Sequence, residues 1–365
     1  MKFTVNTKPV VESTKLAIIN ANVSVFHKKS CIVYVSADAN TLKINIEAKS
    51  IRTEVSIPGH GEGEPASIFV DSMLFKNLIS TFDSDLLEFN FEENALKIIS
   101  GKSEFSLPKI IDSADISFTS PELPAIANEI KLVKDDWKFI SDHQEYAISV
   151  SYNTPVYTYA KFTADGKALT GDYDTGIFTK SEQTPFIDCL LTDTVIHLFT
   201  ELPDDATAYK NDRNIIIQFT QDSYSYRSEI TPTYETDEGV GSYNADMILA
   251  LMNPTDVYST IDRNRLNKLI DQATILSSNK EDIVTIKAND DKIAITGPNL
   301  EGLFDSTHSI VNAYEGKLKL RTFKSAITHF VDDTINIAPL YADDIVNGIL
   351  LFDSKLYVTI ATIEE

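Results

Sequence analysis

Hydrophobic and polar positions along this chain follow two periods, one helical and one strand-like. A helical period begins after Asp262, a residue type that favours the helix N-cap. The apolar residues behind it recur at the spacing of one helix face: Leu266, Leu269, Ile270 and Ala273. The segments 8–18 and 135–143 resemble this one in their apolar pattern. These three segments are predicted to be helices.

A β-hairpin with a polar turn is predicted after each of these helices. The turns contain Asp38, Asp165 and Asp290, which are 127 and 125 residues apart, and β-rich or alternating stretches flank them. Further strands follow a second helix in each repeat. The second helices are predicted at 71–79, 191–199 and 323–330. This even spacing indicates an internal repeat in which the same helix-plus-strands unit occurs twice.

The repeat predicts three domains of about 120 residues, with boundaries at 1–124, 125–248 and 249–365. The turn-rich stretch 231–255 is expected to be the linker between the second and third domains. The fold class is α+β, in which helices cover one face of antiparallel sheets.

Composition and motifs narrow the function classes. Hydrophobic residues make up 43% and charged residues 24%, as in ordinary globular proteins. No apolar run approaches the ~18–20 residues of a membrane span, and the N-terminus lacks a signal-peptide layout, so a cytoplasmic protein is expected. Cys31 and Cys189 are expected to be buried apolar residues and not a disulfide or zinc site.

Motifs for catalysis are missing from the sequence. It contains no nucleotide-binding glycine motif, no HExxH and no GxSxG, and its six histidines have no recurrent spacing. We therefore expect no enzyme activity, no cofactor and no metal site.

The net charge of −22 argues against a nucleic-acid partner only if the charge is spread evenly. The six helical windows carry 13 basic and 10 acidic residues, a net charge of +3, so the remainder carries −25. These windows are 8–20, 71–81, 131–147, 190–201, 262–275 and 317–330. A mildly basic helical face can meet phosphates weakly and without reading bases. The alternative is that these cations only decorate solvated helix faces.

Several stretches resemble the bacterial β sliding clamp, the processivity factor of the replicative DNA polymerase. The resemblance spans essentially the whole chain and rests on their order and spacing. The stretches are the N-terminal Met1–Val5, then 50–55, 100–108, 261–280, 314–316 and the terminal strand 356–360.

This resemblance implies a head-to-tail homodimer that closes into a ring of six domains, with helices lining the hole and sheets outside. Double-stranded DNA would pass through the hole without sequence preference. The implied partners are the DNA polymerase, a clamp loader and other proteins with clamp-binding peptides. The residues expected to face DNA are Lys8, Lys15, Lys28, Lys29, Lys76, Lys138, Arg263, Arg265, Lys268, Lys317, Lys319, Arg321 and Lys324.

The resemblance also implies two protein contacts. Phe105 and Leu107 of one chain would face Ile275 and Leu276 of the other, although all four could instead be intradomain core. A peptide pocket between the second and third domains would be lined by Tyr157, Thr175, Ile177, Val358, Ile360 and Thr362.

This chain departs from the family pattern at 171–177, at 360–363 and in a longer segment after Ile230. These departures affect the peptide specificity and are compatible with a divergent or phage-encoded clamp. The alternative is a β-rich repeat protein with an interaction or structural role, for instance in a virion, that does not encircle DNA.

Overall fold

The computed structural model describes residues 1–19, 32–48, 51–110, 118, 120–121, 128–130, 132–149, 155–172, 175–182, 187–211, 213–221, 223–253, 258–277, 282–289, 292–297, 300–305, 313–342 and 345–363. Within these ranges the chain forms seven α-helices and four antiparallel sheets, which confirms the predicted α+β class. In the described part of the chain, no helix has the length and apolar character needed to cross a membrane.

The helices are α1 Thr7–Ile19, α2 Ser72–Ile79, α3 Lys134–His143, α4 Asp193–Glu201, α5 Ala245–Leu251, α6 Arg263–Leu276 and α7 Leu320–Ile327. Six of them confirm the predicted helices. The last, α7, begins three residues earlier than predicted, because its buried stripe starts at Leu320 and continues through Phe323 to Ile327. Helix α5 was not predicted; it lies inside the predicted linker and contains the predicted boundary at residue 248.

The strands alternate buried and exposed residues along most of their length. The first thirteen are β1 Lys2–Asn6, β2 Ile32–Ala37, β3 Thr41–Ala48, β4 Ile51–Pro58, β5 His60–Glu62, β6 Ala66–Asp71, β7 Leu86–Phe91, β8 Ala95–Ser100, β9 Ser103–Pro108, β10 Asn128–Ile130, β11 Ala160–Phe162, β12 Lys167–Asp172 and β13 Ile177–Glu182. The others are β14 Cys189–Leu191, β15 Thr207–Lys210, β16 Ile215–Gln221, β17 Tyr224–Ile230, β18 Ser259–Asp262, β19 Ile283–Asn289, β20 Lys292–Gly297, β21 Leu300–Asp305, β22 Tyr314–Lys319, β23 Thr334–Ala342, β24 Ile345–Phe352 and β25 Leu356–Ala361.

One order of elements recurs along the chain. A strand, a helix and three strands follow one another six times, beginning at β1, β6, β10, β14, β18 and β22. Among the described elements, β5, α5 and two short 3₁₀ helices, Glu145–Ala147 and Pro155–Thr158, are the additions to this pattern. The doubled unit that the sequence predicted is therefore present in each third of the chain.

Two compact units contain these elements. Unit 1 comprises residues 1–134 and 194–232, and unit 2 comprises residues 135–193 and 233–365. The middle third of the chain is divided between them because its strands join sheets of both units. The division into three domains therefore stays a prediction.

Unit 1 contains two sheets, with strand orders β5-β1-β7-β8-β9 and β10-β15-β16-β17-β4-β3-β2-β6. The larger sheet joins strands distant in sequence, because β4 pairs with β17 from Ile51 opposite Ile230 to Ser56 opposite Ser225. The buried hydroxyl groups of Thr53 and Ser228 lie 2.9 Å apart at this junction.

Unit 2 also contains two sheets, with strand orders β14-β11-β12-β13-β25-β24-β23-β18 and β21-β20-β19-β22. Its junction strands are β13 and β25, with Ile177 opposite Ile360. A large apolar core lies between these sheets and helices α6 and α7 and includes Leu266, Phe323 and Leu351.

A buried polar network accompanies this core. Gln144 is fully buried, and its amide nitrogen donates to the carbonyl oxygen of Ala168 at 3.1 Å and to Oγ1 of Thr179 at 3.0 Å. Its amide oxygen accepts a hydrogen bond from Oγ of Ser181 at 2.7 Å. Because each amide atom has a partner, the burial of this side chain is compensated.

Candidate nucleic-acid interface and peptide site

Helix α1 presents its predicted cations on the exposed side. Lys8 and Lys15 are exposed, while Val10, Leu16 and neighbouring residues pack inward. The ammonium of Lys8 lies 3.8 Å from the carboxylate of Glu12, one helical turn away. Lys28 and Lys29, the predicted basic loop, lie outside the described residues.

A cleft of about 460 Å³ borders α1 within unit 1. Lysines and glutamates share its rim, and apolar side chains form much of the rest. Its charged lining residues are Lys8, Glu12, Lys15, Lys134 and Glu201. The balance of both signs gives this cleft little net attraction for a phosphate.

Helix α2 begins at an N-cap provided by Asp71, whose carboxylate accepts a hydrogen bond from the backbone nitrogen of Leu74 at 2.8 Å. Its predicted cation, Lys76, is half-buried near the helix end. Phe75 faces inward, whereas Met73 and Leu74 are exposed.

Helix α6 carries three predicted cations, and two of them bind backbone carbonyl groups. The predicted N-cap Asp262 is present, and its carboxylate accepts from the backbone nitrogen of Arg265 at 2.6 Å. The guanidinium of Arg263 donates to the carbonyl oxygen of Phe330. That of Arg265 donates to the carbonyl oxygen of Leu303 at 2.9 Å.

Of the remaining cations of α6 and α7, Lys268 and Arg321 are exposed. The ammonium of Lys324 on α7 lies 2.9 Å from the carboxylate of Asp271 on α6. This ion pair links the two helices and lies at the surface, where solvent weakens it.

Lys317 and Lys319 are strand residues, although the predicted helical window 317–330 contains them. They lie on β22, where Lys317 is opposite Thr285 of β19 and Lys319 is opposite Ile283. The two lysines alternate with buried Gly316 and Leu318. The alternation of buried and more exposed residues in β22 continues up to the residue before α7, so the predicted helical window included the end of this strand.

The charge on the six repeat helices has the predicted sum but an uneven distribution. Counted over the observed bounds of these six, all helices but α5, there are ten basic and seven acidic side chains, a net charge of +3. Helices α1, α2, α6 and α7 together carry +6, whereas α3 and α4 carry −3. Lys138, the predicted DNA contact on α3, is exposed on a helix that is net acidic.

Five of the six predicted peptide-pocket residues lie around β13 and β25. Ile177, Val358 and Ile360 face helices α6 and α7 and are buried in the core of unit 2. Thr175 is exposed before β13, and Thr362 is half-buried just after β25.

Tyr157 is separate from these five residues. It is 2% exposed, and its hydroxyl donates to the carbonyl oxygen of Tyr243 at 3.0 Å. It packs with Phe178, which points to the opposite face of β13 from Ile177, and with Ile248 of α5. Periodicity could not assign it to this face, because α5 was not predicted.

An open apolar surface lies beside the residues that follow β25. Tyr341 and Ile345, near the paired ends of β23 and β24, are 50% and 67% exposed. Oγ1 of Thr362 donates to the carbonyl oxygen of Val346 at 2.9 Å. The backbone nitrogen of Ala361 donates to the carbonyl oxygen of Gly176 at 3.1 Å. Neither Tyr341 nor Ile345 was among the predicted pocket residues.

The predicted dimer residues differ in exposure. Ile275 and Leu276, at the end of α6, are 82% and 60% exposed. Phe105 on β9 is 37% exposed, with its ring 5.4 Å from that of Phe82, whereas Leu107 is buried at 7%. Leu107 therefore fits the alternative, intradomain core.

Two histidines of unit 2 lie close to a buried tyrosine. The ring of His329 stacks on Tyr146 at 4.0 Å, and its Nδ1 lies 2.8 Å from the carbonyl oxygen of Asp142. Burial lowers the pKa of His329, and the nearby His143 ring lowers it further. Burial also raises the pKa of Tyr146 above its usual range. No cluster of three metal-binding side chains occurs in the described part of the chain.

Known proteins resemble this chain in structure and not in sequence. No protein-family model and no curated protein matches it. The DNA polymerase III subunit beta from Pseudomonas aeruginosa matches with 12% identity, a TM-score of 0.75 and 100% coverage of both chains. The DNA polymerase sliding clamp from Bacillus subtilis matches with 16% identity and a TM-score of 0.73, covering 100% of this chain and 99% of its own.

A third solved structure is the Helicobacter pylori beta clamp bound to a DNA ligase peptide. It matches with 12% identity, a TM-score of 0.70 and 100% coverage of both chains. At such identities the similarity shows the fold: this chain has the fold of sliding clamps over its whole length. The fold that the sequence resemblance implied is confirmed.

Proposed function

We propose that this chain is a DNA sliding clamp. Two copies form a ring around duplex DNA and tether a replicative DNA polymerase as its processivity factor. The protein is not an enzyme and uses no cofactor. We assign it three domains, with the second boundary moved past Met252, because α5 packs with Tyr157 and Leu169 of the middle third.

The single observation that carries this proposal is the pattern of strand pairing. In the first third of the chain, β4 is the last of the three strands that follow α1, and it pairs with β17, the final strand of the second third. In the second third, β13 is the last of the three strands that follow α3, and it pairs with β25, the final strand of the last third. By the same rule, β21, the last of the three strands that follow α6, would pair with β9, the final strand of the first third of another copy. Within the described residues both β9 and β21 lie at sheet edges. Two such junctions between two copies would close a ring.

Exposed apolar side chains lie beside these two edges, as an interface between copies requires. Ile275 and Leu276 project from the end of α6, which contacts β21. On unit 1, Phe105 of β9 is 37% exposed. Pairing of the edges would remove these side chains from water.

The helices would hold DNA through phosphates alone. Their net charge of +3 is small, so each contact is weak and exchanges readily during sliding. Such contacts carry no base information, which suits a protein that must move along any sequence.

We further propose that partner peptides dock on unit 2 beside the end of β25. Exposed Tyr341 and Ile345, together with Thr175 and Thr362, offer an apolar surface with polar groups at its margin. A DNA polymerase, a clamp loader and other peptide-bearing proteins are the expected occupants. The matched Helicobacter pylori clamp, with its bound ligase peptide, supports a peptide-binding role.

A retention experiment tests the central proposal. Sedimentation should show a dimer at micromolar concentration, and protein loaded on circular DNA should stay bound until the circle is cut. Primer extension on a circular template should become processive when the cognate polymerase is supplied. A monomer that is not retained on circles would overturn the clamp proposal and favour the β-rich interaction protein.

A further inference from the structure

Carboxylates lie within reach of two lysines on the proposed DNA-facing helices, Lys8, which is exposed, and Lys324, which is half-buried. Glu12 lies 3.8 Å from Lys8 on α1, and Asp271 on α6 lies 2.9 Å from Lys324 on α7. Both carboxylates are about half exposed, at 46% and 55% of their side-chain surface. Each lysine therefore has a protein partner that a DNA phosphate must displace.

The same arrangement occurs in both units. In unit 1 the pair belongs to a single helix, whereas in unit 2 it joins two helices. Neither acid caps its helix, since Glu12 lies inside α1 and Asp271 lies inside α6. An i, i+4 ion pair such as Lys8–Glu12 adds little to the stability of its helix, so a role toward DNA is open to both acids.

We propose that Glu12 and Asp271 set the strength with which this protein holds DNA, by competing with phosphates for Lys8 and Lys324. This inference rests on the proposed function, namely that the helices face DNA. A solvent-exposed ion pair is weak enough to exchange with a passing phosphate. The lysine then alternates between carboxylate and phosphate, and the ring moves without being held at one position.

A neutral amide in place of either acid removes the competitor. Each freed lysine binds about one additional phosphate, which steepens the dependence of log K on log salt by about 0.9 for each phosphate gained and by about 1.8 for the two copies of a ring. Binding at about 0.1 M salt should then tighten by about eightfold for one additional phosphate. The result differs from a structural role, which would change stability and leave the salt slope unaltered.

The variants are Asp271→Asn and Glu12→Gln, both nearly isosteric with the native residues. The matched control is Asp165→Asn, which removes the same charge from the turn between β11 and β12, where Asp165 pairs with Lys167 at 2.5 Å. Binding of a linear duplex is measured from about 25 to 200 mM salt. Retention on circular DNA is measured on the same proteins.

We expect steeper salt slopes and longer retention for both helix variants and wild-type values for the control. Equal shifts in all three variants would overturn the inference, since net charge alone would then explain them. Wild-type slopes in both helix variants, with the wild-type protein retained on circles, would overturn it and leave the clamp proposal standing. Loss of retention in the wild-type protein would instead overturn both.

Discussion

At the scale of single residues, Gln144 shows how much one buried amide contributes. Its substitution by Ala removes three hydrogen bonds and takes away the partner of the buried Ser181 hydroxyl, whereas the Thr179 hydroxyl keeps its hydrogen bond with Thr170 at 2.6 Å. We expect the free energy of unfolding to fall by about 2–4 kcal/mol, because unpaired buried polar groups carry the full desolvation cost. Chemical denaturation measures this change. The control Gln272→Ala, at an exposed position of α6, should change stability by less than about 0.5 kcal/mol.

His329 makes part of the stability depend on pH. Its pKa in the folded protein is lowered by burial, so the unfolded chain binds a proton more readily than the folded chain does. Stability contributed by the neutral ring is therefore present above the unfolded pKa of about 6.5 and is lost as pH falls through the range below it.

The variant His329→Gln should lose less stability than the wild-type protein between about pH 7.5 and pH 5.5. Urea denaturation at both pH values gives the free energy of unfolding of each protein. The variant lacks the stacking on Tyr146 at both pH values, so this loss cancels when the two free energies of one protein are subtracted. An identical pH dependence in the two proteins would show that His329 does not contribute. His60, which is exposed, provides the matched His60→Gln control.

At the scale of elements, the end of α6 is the clearest candidate for an interface. The double variant Ile275→Asp and Leu276→Asp should give a folded monomer, since burying two carboxylates at a contact is unfavourable. In the monomer both side chains are highly exposed, at 82% and 60%, so thermal stability should hardly change. Sedimentation measures the oligomeric state.

The control is Ile345→Asp, which places a carboxylate at another exposed apolar position, 67% exposed and far from α6 in the sequence. It should remain a dimer. If the double variant also remains a dimer, the contact between copies lies elsewhere.

The sequence predicted six helices because their apolar stripes recur at a helical period over at least two turns. It missed α5, where seven residues inside a turn-rich stretch give too short a pattern. The family resemblance implied a pocket with both Tyr157 and Ile177, although Tyr157 packs against the face of the sheet opposite to Ile177. Local patterns show which residues are buried, but the choice of face depends on the elements that cover each side.

At the scale of the whole molecule, the sequence predicts the summed charge of the helices but not the long-range pairing of strands. The pairing of β4 with β17 links residues about 175 positions apart, and no local period contains that information. The charge was accessible, since the helices carry +3 by sequence windows and by observed bounds alike. The share of each single helix was not, because it depends on where the helix begins and ends: the window 317–330 carries +4, whereas α7 carries +2.

That division decides which cations matter for DNA. The window 317–330 contributes Arg321 and Lys324 from a helix, but Lys317 and Lys319 from a strand. Arg321→Glu with Lys324→Glu should shorten retention on circular DNA and flatten the salt dependence of binding by about 0.9 for each phosphate that is no longer bound. Lys317→Glu with Lys319→Glu makes the same change in charge and should have a smaller effect if the helices face DNA. Equal effects of the two pairs would show that β22 contributes as much as α7, and no effect of either would reject this face of unit 2 as the DNA contact.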